Sequence, residues 1–254
     1  MFEFFSKFFE VFPKRLIVYG DVHGCLDEFK ELRHKITPRP NDIEVSLGDI
    51  INKGPHSKEL IEYFMLHKIL LITGNHEDKI LRYRRFEKLK SKRNPIILSE
   101  LQKKVYHSLS RVHFEYLSKA PLFYRFGKVT LLHAGITNAM RLETLGKKES
   151  ALIFHIRWLD KKFHFVSIEE TKNKGKYFWS DVYDGGSGFV VYGHQPFKEV
   201  KVNKNALGID TGCAYGNKLT AAVFDMDYDI VENLNYSIYQ VNAKAVYSVK
   251  DHWI

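Results

Sequence analysis

Apolar residues in this chain recur in two rhythms. RLIVYG (15–20) is an unbroken apolar run of strand length, and it is followed by Leu26, Phe29, Leu32 and Ile36 at helical spacing. The alternation repeats with IEVSLG (43–48) before Leu60, Ile61, Phe64 and Met65, and again with ILLITG (69–74) before a third helical pattern. Three strand–helix units in series predict an α/β architecture. A polar, helix-like stretch then runs to about residue 120. Beyond it the pattern turns strand-rich, in VTLLH (129–133), FVVYGH (189–194), ALGID (206–210), LTAAVFD (219–225) and DIVENLNYSIYQV (229–241). Between Gly146 and Gly188 only ALIFHIRWL (151–159) has a strand-like character. No repeat, low-complexity tract or linker interrupts the pattern, so one domain over residues 1–254 is expected.

The opening MFEFFSKFFEVF places Phe2, Phe5, Phe9 and Phe12 on one helical face and Glu3, Lys7 and Glu10 on the other, which predicts an amphipathic helix over residues 1–12. Its acidic residues break the apolar core that a signal peptide needs, and their excess over Lys7 disfavours an anionic membrane surface. Packing on the domain or on a second copy is the expectation, which leaves an oligomer through this Phe-rich segment open. No apolar run reaches the roughly 18 residues that span a bilayer. Two cysteines, Cys25 and Cys213, are too few for a disulfide framework or a thiolate zinc site. A cytoplasmic setting is expected, with any pairing of the two undecided.

Lys and Arg number 39 against 30 Asp and Glu, a net charge of +9. The excess is local: residues 79–111 hold eleven cations against Glu87 and Glu100, a surplus equal to that of the whole chain. The segment starts in the helix after ILLITG. A basic helical cap over 79–120 is therefore expected to draw in a polyanion, with Arg82 and Arg85 as substrate contacts and nucleic-acid contact through 79–111 a further option. The alternative is a solvated helical face.

The chemistry emerges at the residue just past each apolar strand. LIVYG leads to Asp21, VSLG to Asp49, LITG to Asn75 and His76, VTLL to His133 and FVVYG to His194. Ligands of open α/β sheets bind beyond the carboxyl ends of strands, so these residues can converge. Asp, His and Asn without Cys form an oxygen and nitrogen donor set suited to manganese, iron or zinc. There are enough donors for two ions: Asp21 and His23 for one, Asn75, His133 and His194 for the other, and Asp49 between them. Such a pair generates a hydroxide and clamps the oxygens of a phosphoryl group.

GDVHG (20–24), GDIINKG (48–54), GNHE (74–77), HAG (133–135) and GHQP (193–196) resemble, in order and spacing, the signature of calcineurin-like metallophosphoesterases of the phosphoprotein phosphatase type. The resemblance implies a central β-sandwich flanked by helices, with a dinuclear metal site at the strand ends. GIDTGCAYGNKLTAAVF (208–224) looks like the branch that contains diadenosine tetraphosphate hydrolases. Two divalent ions are implied, manganese first and iron, zinc or cobalt as alternatives.

The implied reaction is in-line attack by a metal-bridging hydroxide on a phosphorus, with Lys53 as the phosphate-binding cation, His76 as the acid for the leaving oxygen and Glu77 orienting His76. Asn52 departs from the protein-phosphatase pattern, which has a carboxylate there. Losing that charge should lower the pKa of His76 and suit a good leaving group. A dinucleoside polyphosphate is thus the expected substrate; a serine/threonine protein phosphatase and an RNA- or nucleotide-binding protein with a non-catalytic metal site are the alternatives. Arg157 reads equally as a phosphate contact or a surface ion pair and stays outside the expected site. Trp179, Ser180 and Asp181 also resemble a family stretch, with no chemical task attached.

Overall fold

The computed structural model of the chain describes residues 7 and 8, 14–89, 94–167, 170–226 and 234–249. In chain order the elements are β1 (Lys7–Phe8), β2 (Arg15–Tyr19), α1 (Leu26–Ile36), β3 (Ile43–Ser46), α2 (Ser57–Leu66), β4 (Leu70–Leu71), α3 (Asn75–Lys88), α4 (Glu100–Ser108) and α5 (Arg111–Ser118). The second half holds β5 (Phe123–Phe126), β6 (Val129–Leu132), α6 (Lys147–Leu152), β7 (Trp158–Leu159), β8 (Phe165–Val166), α7 (Thr171–Lys174) and β9 (Tyr177–Phe178). It closes with β10 (Phe189–Tyr192), β11 (Lys201–Asn203), β12 (Ala206–Gly208), β13 (Lys218–Asp225) and β14 (Tyr236–Asn242).

Two sheets face each other. One has the order β14-β13-β2-β3-β4, the other β1-β5-β6-β10-β12-β11, and β8-β7-β9 form a small third sheet. The expected α/β layering with flanking helices is what the fold has. β2 shows why its sequence carries no polar alternation. Leu16 and Val18 point between the sheets, where they meet Val45, Leu47 and Ile72 and, from the opposite sheet, Leu131, Val191 and Leu207. Ile17 and Tyr19 point the other way onto Phe29 and Leu32 of α1 and Phe64 of α2. A strand buried on both faces has no use for polar residues. The outer face of the second sheet is covered by the chain between residues 136 and 183, through Ile153, Ile156 and Trp179 packed on Leu132, Val190 and Tyr192.

β2, β3 and β4 run parallel, as do β6, β10 and β12. All the strand-end residues singled out from sequence therefore leave their sheets at carboxyl ends. Three expectations change. Lys7 and Phe8 pair in parallel with β5 at Tyr124 and Arg125 as an edge strand, not as part of a helix; the rest of the expected helix over 1–12 lies outside the described residues. ALIFHIRWL is strand only at Trp158 and Leu159, because its start closes α6 and a turn comes next. Of DIVENLNYSIYQV, the strand begins at Tyr236, and residues 229–233 lie outside the described residues.

Candidate metal centre

Asp49 is the hub of the site. It lies after β3 in a turn where its own φ is +50°, and Asn52 and Lys53 also take left-handed backbone, at +67° and +66°. His23 and His194 do the same, at +50° and +66°. Non-glycine residues in this region are uncommon, and strain of this kind persists where the surrounding structure fixes it. Here Glu77 does so. Its buried carboxylate accepts from the backbone N–H groups of Asp49 (2.8 Å), Ile50 (3.0 Å), Ile51 (3.3 Å) and Gly74 (3.0 Å). Glu77 thus ties the Asp49 turn to the start of α3, in place of the contact with His76 expected from sequence. Burial and the charge of Asp49 push its carboxyl up to about 8 against the pull of these donors.

Around Asp49 the imidazoles fall into two groups. His23 Nε2 lies 3.6 Å and His76 Nε2 3.9 Å from Asp49 Oδ2, while His133 Nε2 lies 3.5 Å from Oδ1. Ligand atoms of His23, Asp49 and His76 lie within 4.8 Å of one another, and so do those of Asp49, His133 and His194. Asp21 Oδ2 is 3.9 Å from His23 Nε2, and Asn75 Oδ1 is 2.9 Å from His133 Nε2. The six residues expected as ligands are thus brought together.

Backbone carbonyls set the tautomers. His23 Nδ1 bonds to Ile51 O at 3.0 Å and His133 Nδ1 to Leu47 O at 2.9 Å, which leaves both Nε2 lone pairs directed at the centre. Burial holds His23, His133 and His194 below the usual imidazole range, so they stay neutral, as metal ligands must be. Asp49 is held well below the usual carboxylate range: burial pushes it up, but the positive charge that faces it, on His133, His76 and His23 when these are protonated and on the Lys53 ammonium, pulls it down. Asp21 is pushed the other way by burial and by Asp210 and Asp49. Crowded carboxylates of this kind favour a cation between them.

The donor set fits divalent cations. Among the described residues, three of the six buried side-chain polar atoms with no hydrogen-bond partner belong here: His194 Nε2, Asn52 Oδ1 and Arg157 Nε. His194 Nε2 sits in one of the two ligand groups, where a cation would satisfy it. Room for close approach comes from missing side chains. A Cβ on Gly74 would overlap Asp49 Oδ1, and one on Gly193 would overlap Asp21 Oδ1.

Beside the ligands stand two cations. Lys53 Nζ lies 2.6 Å from His23 Nε2 and 4.9 Å from the centre of the Tyr215 ring. Arg157, left outside the site by its sequence, is half-buried, and burial lowers its pKa while Asp49, Asp210 and Asp21 support its charge. Its guanidinium thus feels the charge of three carboxylates of the centre. Asp210 was also missed, although it comes after β12 as Asp21 comes after β2, and the strand-end rule applied a sixth time would have found it. His76 Nδ1 meets Asn52 Nδ2 at 3.0 Å, and burial lowers this imidazole to about 4. Arg82 and Arg85 are not in the cluster. They sit further along α3, Arg82 on Asp78 at 3.4 Å, and Arg85 lines a groove between α3 and α5.

The calcineurin-like phosphoesterase profile matches residues 14–238. A bis(5'-nucleosyl)-tetraphosphatase PrpE (asymmetrical) of Oceanobacillus iheyensis is 30% identical over 229 residues, 83% of this chain and 88% of that one. Its counterpart from Bacillus subtilis is 29% identical over 82% of this chain and 89% of its own length. A solved structure of a candidate diadenosine tetraphosphatase superposes with a TM-score of 0.73 at 26% identity, covering 92% of this chain and 95% of the other. A Saccharomyces cerevisiae serine/threonine phosphatase shares the fold at a TM-score of 0.60 and 14% identity, over 89% of this chain and 80% of its own. With its metal-ligand residues gathered at the strand ends and a family profile running through almost its whole length, the chain belongs to the calcineurin-like phosphoesterases and is a hydrolase.

Proposed function

We propose that the chain hydrolyses dinucleoside polyphosphates of the diadenosine tetraphosphate type, and does so asymmetrically. The observation that carries the phosphoryl-transfer reading is Asp49, shared by two groups of imidazoles with Lys53 and Arg157 beside them. The names of the relatives support the substrate class and the asymmetry.

Asp21, His23 and Asp49 would hold one divalent cation, and Asp49, Asn75, His133 and His194 a second. When bound, the ions supply Lewis-acid charge and a water that is deprotonated at neutral pH. The chain's own residues do the rest. Lys53 and Arg157 place positive charge where the phosphoryl oxygens gain negative charge. His76 faces the centre through Nε2 and delivers the proton to the leaving oxygen. With its pKa near 4, little imidazolium is present at neutral pH, which suits a nucleotide phosphate leaving group better than an alkoxide. Arg82 and Arg85 steer the polyanion toward the centre from α3.

Manganese is the ion we propose, on the hard oxygen and imidazole donors. The cytoplasm is the proposed compartment, on two buried cysteines that are both free thiols. The test is incubation of manganese-loaded protein with diadenosine tetraphosphate and, separately, with a phosphoserine peptide, with Asp49→Asn as control. ATP plus AMP is the expected product pair. ADP alone would replace asymmetrical with symmetrical cleavage, and turnover of the peptide alone would replace the substrate class.

A further inference from the structure

Beyond His76, α3 carries Arg82, Arg85 and Lys88 at three-residue spacing, with Arg84 beside them. At 1.5 Å rise per residue, Arg85 and Lys88 lie roughly 14 to 18 Å along the helix axis from His76. There α3 and α5 flank a solvent-open groove of about 450 Å³. Leu81, Arg84, Arg85 and Lys88 line it from α3, and Arg111 and Phe114 from α5.

Its chemistry is more specific than a positive patch. The Arg84 guanidinium carbon lies over the Phe114 ring, 3.7 Å from its centre, which is stacking distance above an apolar floor. A guanidinium fixed in this way offers its other face to a planar base. The carboxylate in the wall, Glu115, is engaged by Arg111 at 2.6 Å, so the groove keeps a positive surplus. Cations alone would suit any anion. Cations around a flat stacking surface and the apolar Leu81 suit a nucleotide, and the volume is that of a small-ligand site.

We infer that this groove holds the distal nucleotide of the substrate while the proximal phosphate is cleaved at the metal centre. The inference rests on the dinucleoside polyphosphate reading and adds to it a second point of attachment. A substrate with one nucleoside at each end of a phosphate chain leaves one end outside the Asp49 cluster, and α3, which starts at that cluster, carries Arg85 and Lys88 in the groove at its far end. The base stacks on Arg84, and its phosphates meet Arg85 and Lys88.

The experiment compares wild type with the double variant Arg84→Gln/Lys88→Gln and with Arg111→Gln, all as the full manganese-loaded chain. Each is assayed on diadenosine tetraphosphate and on p-nitrophenyl phosphate, which has no distal arm. The expected result for the double variant is a KM for the tetraphosphate raised about tenfold, with a smaller rise for Arg111→Gln and both constants for p-nitrophenyl phosphate unchanged. Unchanged KM for the tetraphosphate would overturn the inference. Equal losses on both substrates would overturn it as well, since the groove would then act only through the fold. A wild type that cleaves p-nitrophenyl phosphate but not the tetraphosphate would defeat the substrate reading itself, and the groove assignment with it.

Discussion

The backbone N–H of His194 donates to both carboxylate oxygens of Asp21, at 3.0 and 3.1 Å, across 173 residues of sequence. The pair joins the carboxyl end of β2 in one sheet to that of β10 in the other. Asp21 therefore aligns His194 while facing His23 with its own oxygen. Asp21→Asn keeps the shape but removes the charge, and one of its two acceptors becomes a donor facing an N–H. Metal binding should weaken roughly 10- to 100-fold, the usual cost of disturbing a ligand's support. Titration of metal-free variant with manganese measures it, and an affinity equal to wild type would remove Asp21 from the centre.

Asn52 is the residue that sets the acid. Its amide nitrogen meets His76 Nδ1, and its oxygen, buried and without a partner, is one amide rotation away from accepting a proton held on Nδ1. An aspartate there would accept only, and its charge would raise the pKa of His76 from about 4. A raised pKa keeps the imidazolium to higher pH, so the alkaline fall in activity should move upward. Asn52→Asp should also favour poor leaving groups over good ones. The check is a pH profile on a pair of phosphate esters that differ in leaving-group pKa; an unchanged ratio and an unmoved limb would release Asn52 from this role.

Gly74 opens α3 and lies against Asp49. A Cβ there would overlap the Asp49 carboxylate and its backbone nitrogen, and would crowd Glu77 Oε2 at 2.7 Å. Since Glu77 holds the strained turn, Gly74→Ala should cost about 1–3 kcal/mol of stability and lower activity further than the stability loss explains. Thermal unfolding together with kcat at a temperature where the variant is folded separates the two. Full activity in a folded variant would show that the turn has slack.

The strand ends were legible because a β-strand carries its register in its sequence. Once LIVYG and FVVYG are read as strands buried on both faces, the residue after each is placed at a sheet edge without further information. Arg157 was not legible, since its inclusion depends on the turn after α6 that carries it over to Asp49 and Asp210, and a strand-like neighbourhood hid that turn. Asp210 was legible and passed over, because ALGID (206–210) reads as one strand run with its Asp inside it, whereas the strand ends at Gly208 and leaves Asp210 beyond the sheet. The helical spacing of four phenylalanines at the start of the chain misled at Lys7 and Phe8, where the open edge of β5 offers backbone hydrogen bonds that outweigh periodicity. Glu77 shows the limit for side chains: nothing in GNHE says whether it turns toward His76 or toward four backbone donors.

The central claim is that Asp49 is shared by two cations. Metal content by native mass spectrometry, on protein stripped with chelator and reloaded with manganese, tests it directly. Two ions per chain are expected for the wild type and at most one, weakly held, for Asp49→Ala. One ion in the wild type, or two retained without the Asp49 carboxylate, would contradict the shared-ligand account.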